Sequence, residues 1–191
     1  MKAMPPMLAY TIRGGIAQND YPQVAIGQGS SRKIYIPPTQ QNDSYWFYFL
    51  DRGNPTNITY QVVVPGSQNS TVPAGLMQYL DNPNLLFGVV TMALSTLHVP
   101  QGALYDLFAT FGAGRALQRL EQITTSLNCG YFGWMSYALI GQCGPRGSGN
   151  YPPPSYEAAD IHNGVLLTVS LMPQENGQPP YSICDCNTFH K

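Results

Sequence analysis

Three stretches hold residue types that could do chemistry. Tyr137–Gly149 reads YALIGQCGPRGSG, an apolar run that ends in a glycine cluster with Pro145 and Arg146. Glycine-rich loops cradle phosphate when backbone N–H groups converge at the start of a helix. This loop lacks G-K-[ST], and no helical pattern follows it. Its glycines are expected to let a strand end turn and pack closely against other backbone. Phe111–Leu117, FGAGRAL, contains a G-x-G. The third glycine of a dinucleotide fingerprint is missing, and a helical pattern precedes it where a strand is needed. A helix-ending glycine followed by a new helix start is the expected arrangement. Cys184–His190, CDCNTFH, could offer two thiolates, a carboxylate and an imidazole to zinc. C-x-C is a poor match to the usual C-x₂₋₄-C spacing, so no metal is expected, and no cofactor.

Nucleophile chemistry has little to draw on. Ser136 lies in GWMSYAL, without the G-x-S-x-G elbow. His98, His162 and His190 are scattered, and there is no H-E-x-x-H. No enzyme activity is expected. Asn42, Asn57 and Asn69 each open an N-x-[ST] sequon, which chance accounts for in so Asn-, Ser- and Thr-rich a chain. Asp51, Arg52, Asp106, Glu157 and Asp160 are most of the notable charges in the body of the chain. With neighbouring Tyr and Asn they could bind sugar hydroxyls or an ion, and caps and surface pairs are their plainer use.

The cysteines, Cys129, Cys143, Cys184 and Cys186, form an even set. Cys129 and Cys143 bracket an apparent strand, GYFGWMSYALIGQ, which would hold them tens of ångströms apart at about 3.3 Å per residue. At most one disulfide is expected, from the tail to one end of that strand, and free thiols are equally compatible.

The elements that must position these residues follow from periodicity. Residues 1–42 are rich in Pro, Gln and Gly, with one strand-like run at Arg32–Pro38, and predict an extended arm. SYWFYFLDR from Ser44 predicts a buried strand, and Asn57–Pro65 pairs with it as a hairpin across RGNPTN. Pro73 suits the first turn of a short helix. Asn84–Leu94 is nearly all apolar and predicts a central strand. Two helices follow, one starting near Pro100 and one over GRALQRLEQITTSLN. In the second, Ala116, Leu120, Ile123 and Leu127 share a face. A long strand over Gly130–Gln142, a Gly/Pro loop, a strand over Asn163–Pro173 and an irregular tail over 173–191 complete the chain. The pattern predicts an α+β fold with mixed or mostly antiparallel sheet.

Composition bounds the function. Of 191 residues 10% are charged, against roughly 25% in a typical soluble domain, and the formal net charge is −1. Repulsion between copies is weak, which favours association. Nine Lys+Arg against ten Asp+Glu, with no basic stripe, argue against nucleic acid. No window approaches the roughly 18 apolar residues that span a bilayer. The opening MKAMPPMLAYTIRGG has no secretory h-region, because Pro5 and Pro6 break it.

The segment order from Ser44 to Leu171 resembles the interleukin-like EMT-inducer family, the GG domain. VPQGALYDLFATFGAGRALQRLEQI and YALIGQCGPRGSG…YEA carry the resemblance, with Gly141 and Gly144 in the places of the glycine region and Glu157 after the loop. The resemblance implies two packed, mostly antiparallel β-sheets with short flanking helices over residues 43–172, and no enzyme activity. The family occurs in secreted signalling proteins, glycosyltransferase stems, phage long tail fibres and bacterial surface proteins. The candidate binding residues are then Asp51, Arg52, Asp106, Tyr137, Gly141, Gly144 and Glu157. The expected role is a structural or adhesion protein of a virion or extracellular surface, joined to its own copies or other assembly proteins. The alternative is a monomeric carbohydrate-binding module.

Overall fold

The computed structural model describes residues 7–126, 133–144, 155–174 and 180–184. Its elements are β1 (Leu8–Arg13), β2 (Gln23–Ile26), β3 (Lys33–Tyr35), β4 (Ser44–Asp51), β5 (Asn54–Pro65), α1 (Met77–Leu80), β6 (Leu85–Met92), β7 (Leu94–Ser95), α2 (Gly102–Thr110), α3 (Arg115–Ser126), β8 (Trp134–Gln142), β9 (Ser155–Asp160), β10 (Leu166–Met172) and β11 (Ser182–Ile183). They form two mostly antiparallel sheets with short helices, as the α+β reading expects. The first sheet runs β5-β4-β6-β8-β9, and β7 continues the β6–β8 ladder past Ala93, whose φ is 40°. The second runs β11-β10-β1-β2-β3.

The first sheet is the middle layer of three. Successive side chains of a strand point to opposite faces. In β4, Tyr45, Phe47 and Phe49 enter one core with Phe87, Phe108, Phe111 and Leu117, beneath the helices. Trp46, Tyr48 and Leu50 enter the other, against Tyr10, Ile12, Val24, Ile26, Val169 and Leu171 of the second sheet. A strand covered on both faces must be apolar throughout, which is why β4, β6 and β8 read as unbroken runs. Gly88 of β6 is part of this packing. A Cβ there would lie 2.2 Å from Cζ of Tyr48, whose ring crosses the strand at that point. The Tyr48 hydroxyl bonds that of Tyr10, joining the two sheets inside the core.

Three expectations are corrected. Residues 7–42, the described part of the expected arm, are not an arm: β1, β2 and β3 fall within them and supply three of the five strands of the second sheet, with Tyr10, Ile12, Val24 and Ile26 fully buried. Tyr10 and Ile12 face the core while Ala9 and Thr11 sit on the opposite face, a period-two pattern masked by the surrounding Pro, Gln and Gly. The tail is not wholly irregular, because β11 pairs with β10 through Leu171–Ile183 and Met172–Ser182. The segment expected to be loop after Gln142 contains β9, an edge strand paired with β8 from Ser136–Asp160 to Gly141–Ser155. The glycine-rich part of YALIGQCGPRGSG beyond Gly144, and Cys129 and Cys186, lie outside the described residues. Cys143 is buried and Cys184 half-buried.

Candidate functional site

Tyr137 and Glu157, picked from separate parts of the sequence, come together at the start of α3. α2 ends at Thr110, and Gly112 (φ 75°) and Gly114 (φ 100°) turn the chain into α3. The left-handed conformation at both positions explains the G-x-G without any phosphate. The first amides of α3 are open donors at the positive end of a helix dipole. Glu157, on β9, fills that place: Oε2 accepts from Gly114 N at 2.9 Å and Oε1 from Ala116 N at 2.9 Å. Tyr137 Oη donates to Oε2 at 2.9 Å. Burial first, then the carboxylate beside it, push the Tyr137 phenol well above its ordinary pKa. The anion at this helix N-terminus is therefore the chain's own carboxylate.

The other candidates stay apart from this latch. Arg52 is a structural residue. Its Nε donates to Tyr181 O at 2.6 Å, Nη1 to Pro83 O at 2.6 Å and Nη2 to Ser182 Oγ at 2.7 Å, which ties β11 to the β4–β5 hairpin. Burial lowers its pKa from the ordinary arginine value. Asp51 accepts from Gly53 N at 2.7 Å and shapes the hairpin turn. Asp106 is exposed on α2. Gly141 is buried where a Cβ would meet Phe111 Cδ1 at 2.6 Å, so close packing is its use. Gly144 donates to Leu80 O at 3.2 Å and has open space where a side chain would stand. The seven residues do not form one site.

Sequence reasoning missed a groove of about 630 Å³ between the helical layer and the end of the middle sheet. Thr96, Val99, Pro100 and Gln101 form one wall, Tyr105 of α2 and Leu117, Gln118 and Leu120 of α3 the other, with Met135 and Ile161 between. None of these residues is charged. The first wall is held rigidly. Asp43 Oδ2 meets His98 Nδ1 at 2.7 Å, and Asp43 Oδ1 accepts from Ser95 N at 2.9 Å. Tyr45 Oη donates to His98 O, and Asn69 Nδ2 donates to Val99 O at 2.7 Å. Leu97 (68% exposed) and Trp134 (44%) are chain neighbours of lining residues and add apolar surface beside the groove. The one usable sequence signal was Leu120, on the helix face expected to be buried.

A second feature is the edge of the middle sheet. β5 spans twelve residues without a charge, and β4 is its only partner strand among the described residues. The pairing slips between Phe49–Tyr60 and Leu50–Ile58, which leaves Thr59 as a bulge. Lys33 Nζ and Tyr35 Oη both donate to Thr56 O on one side of that bulge. Tyr60–Val64, on the other side, is a regular ladder with its outer side open.

Among the described residues no helix is long and apolar enough to cross a membrane, and no three His, Cys, Asp or Glu side chains cluster as a metal site. No family model matches the chain, and no curated protein or solved structure matches it.

Proposed function

We propose that this chain is a non-catalytic interaction protein of an extracellular assembly, a virion or surface-adhesion component, whose copies or neighbours join by strand addition. The open half of β5 carries the reading. An unpaired edge is a template for another strand, and proteins that work as monomers blunt such edges with charge, proline or bulges. Here a bulge and two side chains blunt the half before Tyr60, while Tyr60–Val64 is left uncharged and unpaired on its outer side. Strand addition supplies main-chain hydrogen bonds for affinity and alternate side chains for specificity. The net charge of −1 leaves little repulsion to oppose it. Since β1–β3 belong to the chain's own second sheet, the joining element is this edge.

Light scattering over a hundredfold concentration range tests the proposal, with Gln61→Glu as the informative variant. Gln61 is exposed on β5, and its Oε1 accepts from Trp46 Nε1 at 3.1 Å. A carboxylate keeps that bond and adds a charge to the edge. Growth into larger species, weakened at least about fivefold by Gln61→Glu, is expected, because like charges meeting across an edge oppose pairing. Monomers at every concentration would overturn the reading and pass the question to a glycan screen.

A further inference from the structure

We propose that the groove between the Thr96–Gln101 wall and α3 is a binding site for a small uncharged molecule with a ring-sized apolar body and a hydroxyl or primary amide. The inference is independent of the β5 edge. At about 630 Å³ the groove lies within the range of small-molecule sites, roughly 300–1,000 Å³. Its apolar surface comes from Val99, Pro100, Leu117, Leu120, Met135 and Ile161. Transfer of a charged group into such a site without a counter-charge is costly, and none of the lining residues supplies one. An ionised ligand is therefore disfavoured.

The polar groups are all neutral. Gln101 and Gln118 bring amides, and Tyr105 a phenol that already accepts from Gln118 Nε2. Thr96 brings the most telling group. Its Oγ1 is buried and is the one buried side-chain oxygen or nitrogen without a hydrogen-bond partner among the described residues. Buried hydroxyls are nearly always partnered, and one left alone costs stability that is returned when the Thr96 side chain turns about its Cα–Cβ bond to meet a hydrogen-bonding ligand in the groove. The wall that carries it is anchored by the Asp43–Ser95 and Asn69–Val99 bonds, so only that side chain has to move.

The test is an amide-resonance titration of the full chain with two uncharged probes, 4-hydroxybenzamide and cyclohexanecarboxamide, and two charged counterparts, 4-hydroxybenzoate and benzylammonium. The uncharged pair is expected to shift amides of Thr96, Leu97, Gln101, Leu117 and Leu120, and to bind at least about fivefold more tightly than the charged pair. Gln118→Arg lies on the exposed side of α3 and leaves the core alone. It is expected to weaken the uncharged probes at least about fivefold and to improve 4-hydroxybenzoate. Thr96→Val is expected to raise the melting temperature while weakening the hydroxyl-bearing probe about threefold more than cyclohexanecarboxamide. Shifts absent from the groove with both uncharged probes, equal binding of the charged pair, or equal loss of both uncharged probes in Thr96→Val would each overturn the proposal.

Discussion

Glu157→Ala removes the carboxylate that joins β9, β8 and α3. Three donors lose their acceptor at once: Gly114 N, Ala116 N and Tyr137 Oη, each at 2.9 Å. Hydrogen bonds to a charged group contribute about 1.5–3 kcal/mol each, and loss of a helix cap alone costs about 0.5–2 kcal/mol. Glu157 is half-buried, so water restores part of the loss at the helix amides, but Tyr137 is fully buried and water does not reach its hydroxyl. The expected cost is about 3 kcal/mol, or about 6–12 °C in melting temperature for a chain of this size. Glu157→Gln keeps the shape and one acceptor oxygen, and should cost about 1–2 kcal/mol. Denaturant unfolding of Glu157→Ala, Tyr137→Phe and the double variant measures the coupling, expected at about 1–2 kcal/mol. Additivity of the two substitutions, or a cost below about 1 kcal/mol for Glu157→Ala, would show that the latch is incidental. Hydrogen exchange adds a local readout: the first turn of α3 should lose protection in Glu157→Ala before β4 or β6 does.

Alkaline stability follows from four buried phenols. Tyr10, Tyr45, Tyr48 and Tyr137 are all held well above the ordinary tyrosine pKa, chiefly by burial. A folded pKa raised above the unfolded one gives stability that is whole below about pH 10 and falls above it, by about 1.4 kcal/mol per pH unit for each group. Together the four give a slope of about 5.6 kcal/mol per unit, enough to unfold a domain of ordinary stability within about one to three units of pH 10. Phenolate absorbance should therefore rise for these four only in step with loss of tertiary circular dichroism, and their ionisation in the folded protein would refute the burial argument. Gly88→Ala should cost about 2–4 kcal/mol, because its Cβ falls on the Tyr48 ring inside the packed core between the two sheets, whereas Gly144→Ala, with nothing within 4 Å, should be neutral or slightly stabilising. Thermal melts of the two side by side decide it, and equal effects would refute it.

What could be read from the sequence divides along physical lines. β4, β6 and β8 were legible because burial on both faces demands continuous apolar runs. α2 and α3 were legible from the glycines between them, which end one helix and open the next. β9 was hidden because SYEAAD is a half-buried edge strand that needs no apolar run, set just after Pro152–Pro154. β1 and β2 were hidden by a composition that mimics a linker, although Tyr10/Ile12 and Val24/Ile26 alternate correctly. Arg52 was read as a candidate binding residue because local sequence cannot show that Tyr181 and Ser182, some 130 residues on, return to meet it. The groove is built from five separate segments, none with a motif of its own, so only the folded chain assembles it.

The pairing of β1 with β10 dictates an order of events during synthesis. Leu8 meets Leu171, and Arg13 meets Leu166, so the centre of the second sheet joins the beginning of the chain to its far end. All strands of the middle sheet lie between residues 44 and 160 and are contiguous along the chain. As the chain leaves the ribosome, the middle sheet and its helices can close first. β1, β2 and β3, made earliest, can pair with one another but lack the neighbour of β1 until Leu166–Met172 emerges. Until then the part of the Trp46, Tyr48, Leu86, Val90 and Ile140 face that β10 and β11 cover stays open to other nascent chains. Slowing translation just before β10 should lengthen that exposure and raise the demand for chaperones, while a circular permutant beginning near β4 would place β10 and β1 close together in the chain and shorten it.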